Sequence, residues 1–179
     1  MLRGVNVGAH NRMKMDALRD LCGSLDLRDA QTYIQSGNVI FRSKDRNVAR
    51  LAKCLQDGIE KRFKIGSDVV VRSVAEMRAI VTRNPFAHRR DIDPAKLLVV
   101  FLAGEPSIAA IAEIAKIKTE PDDVRIVGHE MFIYYVSGLA RPKVPWTTLM
   151  KKLKTTGTGR NWNGVVEMLA MAEKLNSSA

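Results

Sequence analysis

Aromatic side chains are scarce in this sequence, at 6% of 179 residues, and there are only two cysteines and three histidines. Few aromatics weigh against a single-strand nucleic-acid platform, which stacks bases on exposed rings above a basic sheet. The glycine-aromatic signature of RNA-recognition motifs is also missing. Cys22 and Cys54 have no CxxC partner, and His10, His88 and His129 stand far apart, which excludes zinc-finger, thioredoxin-type and HExxH chemistry. No G-x-S-x-G elbow, P-loop or dinucleotide fingerprint occurs. No apolar run approaches the ~20 residues of a membrane-crossing helix. The opening Met-Leu-Arg-Gly is not a signal segment, so the expected setting is the cytoplasm.

What is present is a core-forming, basic chain. Hydrophobic residues make up 46% and the formal net charge is +10. The charge is uneven: residues 1–90 carry 18 basic and 9 acidic side chains, residues 91–136 carry 4 and 8, and residues 137–179 carry 7 and 2. A positive field over part of a surface attracts phosphates, although a lysine-rich surface also serves solubility alone.

Hydrophobic spacing gives the element order. Leu2 to Val7 reads as the tail of a strand, and Lys14 to Leu25 as a helix carrying Leu18, Leu21, Cys22 and Leu25. Gln31–Ile34 and Val39–Phe41 flank Ser36-Gly37-Asn38, a hairpin signal. Asn47 to Phe63 is a second amphipathic helix and Val69 to Val71 a further strand. Val74–Val81 is a linking helix stopped at Asn84-Pro85. The unbroken run Leu97 to Phe101 predicts a strand buried on both faces. A helix over 107–118 and strands at Val124–Val127 and Met131–Val136 follow. The final forty residues read as helical, interrupted at Thr155–Gly159.

The expected fold is therefore α+β: a ferredoxin-like βαββαβ unit over 1–82, a second βαββ unit over 83–138, and a C-terminal helical segment over 139–179. The strand, helix and hairpin of the first unit recur in the second, which points to duplication within one compact structural domain.

Three segments could hold an anion. The first is Arg3, Gly4, Asn6 and Gly8, leading through Arg12 and Lys14 into a helix: glycines let a backbone approach a ligand, and a helix start offers N–H groups. The bland alternative is a bulge and a turn. The second is the hairpin tip Gln35, Ser36 and Asn38, which turn chemistry alone explains. The third ends the acid-free stretch 141–160 with Thr158, Arg160 and Asn161, where hydroxyl, guanidinium and helix start suit a phosphate. In the alternative, Thr158 caps the helix and Trp162 fills core. The pairs Asp91/Asp93 and Asp122/Asp123 lie in turn contexts and form no catalytic constellation.

Four segments carry a family resemblance: Leu-Arg-Gly-Val-Asn-Val-Gly at 2–8, Thr-Tyr-Ile-Gln-Ser-Gly-Asn-Val-Ile-Phe at 32–41, Asn-Pro-Phe at 84–86 and Arg-Asn-Trp at 160–162. The chain resembles the bacterial domain-of-unknown-function family 1697 over essentially its whole length. The resemblance implies an α+β fold of ferredoxin-like character with a helical C-terminal part, and it supplies no activity, substrate or cofactor. Family members have further residues of first strand before Leu-Arg-Gly. They commonly have Gly-Gly where this chain has Gly8-Ala9, and threonine where it has Gly164.

The leading expectation is a non-catalytic protein that binds a phosphate-bearing partner, either nucleic acid or a nucleotide-like small molecule. A second is an enzyme of unknown reaction whose polar groups Arg3, Asn6, Gln35, Ser36, Asn38, Arg160 and Asn161 orient an anion. In the third, the same residues serve folding only.

Overall fold

The computed structural model describes residues 1–7 and 11–177. The chain divides into two compact units, Met1–Met77 with Glu167–Ala179, and Arg78–Val166.

In the first unit, helix α1 (Met15–Ser24) precedes strands β1 (Arg28–Tyr33) and β2 (Asn38–Arg42), which pair antiparallel around a turn at 34–37. Helix α2 (Val48–Phe63) follows. Leu18, Leu21 and Cys22 of α1 and Leu51, Leu55 and Ile59 of α2 are buried in one apolar cluster, as their i, i+3, i+4 spacing predicts. At ~2 kcal/mol for each fully buried aliphatic side chain, this cluster is the main source of the unit's stability. Gly58 lets the helices meet closely, because a Cβ there would lie 3.1 Å from Leu25 and 3.2 Å from Leu21. Both cysteines are free.

The two strands expected at the ends of this unit are shorter than the sequence suggests. Leu2–Val7 and Val69–Val71 form no continuous strand pair among the described residues; they meet in an antiparallel bridge from Leu2 to Val69. The reason lies in the backbone: Gly4 and Asn6 take φ of +66° and +56°, so the chain turns out of the extended conformation after Arg3.

In the second unit, helix α3 (Val74–Thr82, which begins in the first unit) ends just before Asn84-Pro85. A short 3-10 turn (Pro94–Lys96) is capped by Asp93, which accepts from Ala95 N. Then come β3 (Leu97–Leu102), α4 (Ile108–Ala115), β4 (Asp123–Val127), β5 (Glu130–Tyr134), α5 (Trp146–Leu153), β6 (Gly157–Asn161) and α6 (Trp162–Ser177), whose residues from Glu167 belong to the first unit. The sheet order is β4-β5-β3-β6, antiparallel throughout. Every residue of β3 and of β5 is buried. Leu98, Val100, Leu102, Met131 and Ile133 form a cluster with Ile114 of α4 and Leu149, Met150 and Leu153 of α5. On the opposite face, Tyr134 packs against Phe86 with ring centroids 6.3 Å apart.

One element runs against expectation. Thr155–Gly159 reads as a break between helices, yet Gly157–Asn161 is strand β6, paired with β3 from Leu102↔Gly157 to Leu98↔Asn161. Its glycines explain both the misreading and the strand. Glycine scores poorly as a strand former, but a Cβ at Gly157 would sit 2.5 Å from the Phe101 carbonyl oxygen and one at Gly159 3.3 Å from Leu98.

Candidate anion-binding site

The first two candidate segments come together in the first unit. The Asn6 amide joins them: its Nδ2 donates to Met13 O and to Gln35 O, both at 2.9 Å, and its Oδ1 accepts from Met13 N at 2.7 Å. Asn11 Nδ2 donates to Gly4 O at 3.1 Å, and Leu2 N donates to Gly37 O at 2.9 Å. Gly37 has φ +73°, and a Cβ there would meet Leu2 Cβ at 2.9 Å and Val5 Cβ at 3.4 Å. Asn38 is buried and its Nδ2 donates to Ser36 Oγ at 2.9 Å. Arg3 is held by Asp68 at 2.9 Å, and the Arg3 carbonyl accepts from Ser67 Oγ at 2.8 Å. In this arrangement Asn6 and Gly37 fasten one loop to another, while Asn38 bonds within its own hairpin. Gly8 lies outside the described residues. Arg12 and Lys14 are exposed, and among the described residues neither has a carboxylate partner.

Thr158, Arg160 and Asn161 belong to the second unit and lie on strand β6, not in a loop. Thr158 is buried and does not cap a helix; Asn161 does, its Oδ1 accepting from Gly164 N at 2.9 Å. Arg160 donates to Thr158 Oγ1 and to Gly159 O, each at 2.7 Å. Burial pushes its guanidinium pKa down to about 10. Trp146 packs against the second unit's core from the start of α5, and Trp162 is half-buried.

The sequence reading missed a cleft in the first unit, of about 350 Å³, built from β2, the starts of α2 and α3 and the middle of α6. Val39, Phe41, Leu51, Met77, Met168 and Ala172 give it an apolar wall. Its mouth carries Ser43, Asp45, Arg46, Arg72 and Ser73. Local capping holds this polar rim in place. Asp45 accepts from Asn47 N at 2.9 Å and from Arg50 Nε at 2.5 Å, and the Arg50 hydrogen bond holds its carboxyl below the usual range. Asn47 caps α2 by accepting from Arg50 N, while Ser73 and Glu76 form a reciprocal box on α3. Because Asp45 is engaged by Arg50, the exposed Arg46 and its neighbour Lys44 have no carboxylate partner among the described residues. No sequence signal brings residues 39–51 beside 168–172; only the capping pattern Asp45-Arg46-Asn47 marks the place.

A second hollow, of about 460 Å³, lies in the second unit around residues 114–125. Its Asp122 is committed to structure, accepting from Val136 N at 3.0 Å and from Lys143 N at 2.8 Å. Among the described residues no group of three or more His, Cys, Asp or Glu is placed to hold a metal ion, and no helix is long and apolar enough to cross a membrane.

Comparison with known proteins adds fold and family. The solved structure titled as that of conserved bacterial protein SP0830 from Streptococcus pneumoniae matches with a TM-score of 0.75 and 21% identity, covering 96% of this chain and 95% of that one. At that identity the likeness is one of fold alone. No curated protein matches the chain. The family described as protein of unknown function (DUF1697) matches residues 1–132, close to three quarters of the chain, which therefore belongs to that family.

Proposed function

We propose that this protein is a non-catalytic binding protein for a phosphate-bearing small molecule, held in the first unit's cleft with Arg46 at the mouth. The observation that carries the reading is a mostly apolar concavity whose edge presents Arg46, with Lys44 beside it, neither having a carboxylate partner among the described residues. Binding sites for small molecules are typically apolar clefts with a few placed polar groups, and an unpaired guanidinium suits a phosphate. The nucleic-acid reading draws on the exposed Arg141, Lys143, Lys151, Lys152 and Lys154. The central strands of the second unit's sheet give it no stacking platform, because every residue of β3 and β5 is buried. The enzyme reading has Asp68 beside Arg3 as a carboxylate, already engaged in an ion pair.

The test is calorimetric titration of the full chain with phosphate-bearing small molecules, a 20-nucleotide single strand and a 20-base-pair duplex at low and moderate salt. Small-molecule binding lost in Arg46→Glu is expected. Binding of nucleic acid alone, with a steep salt slope, would instead favour the lysine-rich stretch and reject the cleft.

Ferredoxin-like character belongs to the same proposal. Its support in the second unit is the chain order β3-α4-β4-β5-α5-β6 with the sheet order β6-β3-β5-β4. In the first unit it is the Leu2–Val69 bridge beside the β1–β2 hairpin, with helices in the matching places. The reading takes the chain to work in the cytoplasm, which its two free thiols support.

A further inference from the structure

We infer that the guest of the first unit's cleft is a single-chain anionic amphiphile: an acyl-type chain of about a dozen carbons ending in a phosphate or carboxylate. This rests on the proposed binding reading and names the ligand's class.

The argument begins with what the cleft offers to hydrogen bonds. Its polar side chains come from two short stretches, 43–46 and 72–73, that lead into α2 and α3. Most of these are occupied: Ser43 Oγ accepts from Asp45 N at 3.0 Å, Asp45 is held by Arg50, and Ser73 Oγ bonds Glu76 at 2.8 Å. Nearby backbone is occupied too, since Val70 O accepts from the Met1 amino group at 2.9 Å and Val71 O from Arg72 at 3.2 Å. The remaining side chains in the wall, from Val39 and Phe41 to Met77 and Met168, offer carbon and thioether sulfur. A nucleobase placed there would bury donors and acceptors with nothing to meet them, whereas an alkyl chain needs no such partners. The part of the guest that enters the cleft is therefore apolar.

Size and charge complete the description. A cavity of roughly 150 Å³ accepts a benzene ring, so about 350 Å³ takes about twice that carbon content. Met77 and Met168 are unbranched and polarizable, which lets the wall adjust to neighbouring chain lengths. Arg46 at the mouth, with Lys44 next to it, supplies the charge that the head group complements.

The experiment is titration of the full chain with decyl phosphate, hexyl phosphate, decanoate, inorganic phosphate and adenosine monophosphate, each below its micelle concentration. Decyl phosphate should bind most tightly, and affinity should fall about tenfold for every two methylenes removed. Arg46→Glu should weaken decyl phosphate and decanoate by about tenfold or more. Ala172→Trp should fill the cleft and abolish their binding, with Ala172→Leu giving an intermediate loss and circular dichroism confirming the fold of each variant. If inorganic phosphate and adenosine monophosphate bind in an Arg46-dependent way while chain length has no effect, the amphiphile inference is overturned and the phosphate-binding reading stands. Chain-length-dependent binding that ignores Ala172→Trp also overturns the inference, because the chain then lies elsewhere. If no phosphate-bearing probe binds, both fall.

Discussion

Gly37→Ala is the sharpest test of the view that the hairpin tip serves folding. Gly37 has φ +73°, and an added Cβ would stand 2.9 Å from Leu2 Cβ, itself almost fully buried. Two costs add. A non-glycine residue in the left-handed region costs ~1 kcal/mol, and forcing a methyl group into packed core costs ~1–3 kcal/mol. The expected loss is about 2–4 kcal/mol. With a urea dependence of about 2 kcal/mol/M, the unfolding midpoint followed by far-UV circular dichroism should fall by about 1–2 M. Gly4→Ala is the built-in comparison: φ is +66° but nothing lies within 4 Å of a Cβ, so only the ~1 kcal/mol of strain applies. Equal midpoints for the two variants, or a Gly37→Ala shift below about 0.3 M, would refute the reasoning.

Other consequences are open to measurement. Gly157→Ala puts a Cβ 2.5 Å from the Phe101 carbonyl oxygen, so β6 must leave β3; a drop of about 3 kcal/mol or more in urea unfolding is expected, while Gly128→Ala costs only the ~1 kcal/mol of its positive φ. Asn6→Asp removes both amide donors and turns a charge toward Met13 O and Gln35 O. It should cost about 2–4 kcal/mol, read as a lowered thermal midpoint. Burial pushes the Cys22 thiol from 9.0 up to about 11. Its folded-state pKa is raised, so its contribution is fully present below pH 9 and is lost as pH climbs from about 9 to 11. Cys22→Ala should therefore lose about 2 kcal/mol less than the parent between pH 8 and pH 11, and identical pH profiles would contradict this.

How much of this was legible depends on whether the signal is local. Helices α1 and α2 announce themselves by periodic leucines, and the Leu97–Phe101 run announces a strand covered on both faces; all three are found where expected. The capping Asp93 fits its turn-based reading, whereas Asp122 bonds backbone 14 and 21 residues away, at Val136 and Lys143. Strand β6 was hidden because Gly-Thr-Gly-Arg-Asn is chosen for close approach to β3, not for strand propensity. The N-terminal motif was legible as important but not as to why: Asn6 spends its amide on Met13 and Gln35, a contact across 29 residues that no spacing rule encodes. The cleft was invisible for the same reason, since β2 and α6 lie more than a hundred residues apart in sequence.

The concealment of β3 and β5 restricts where this protein could be rewired. Foreign sequence spliced into either of those strands would have to displace packed side chains above and below at once. The connection at Gly128 and His129 is different: both residues are exposed, and a Cβ on Gly128 would meet nothing within 4 Å. A reporter domain or a new pair of chain ends placed there would displace no packed side chain, although it would have to spare the His129 carbonyl, which accepts from Leu102 N at 2.9 Å.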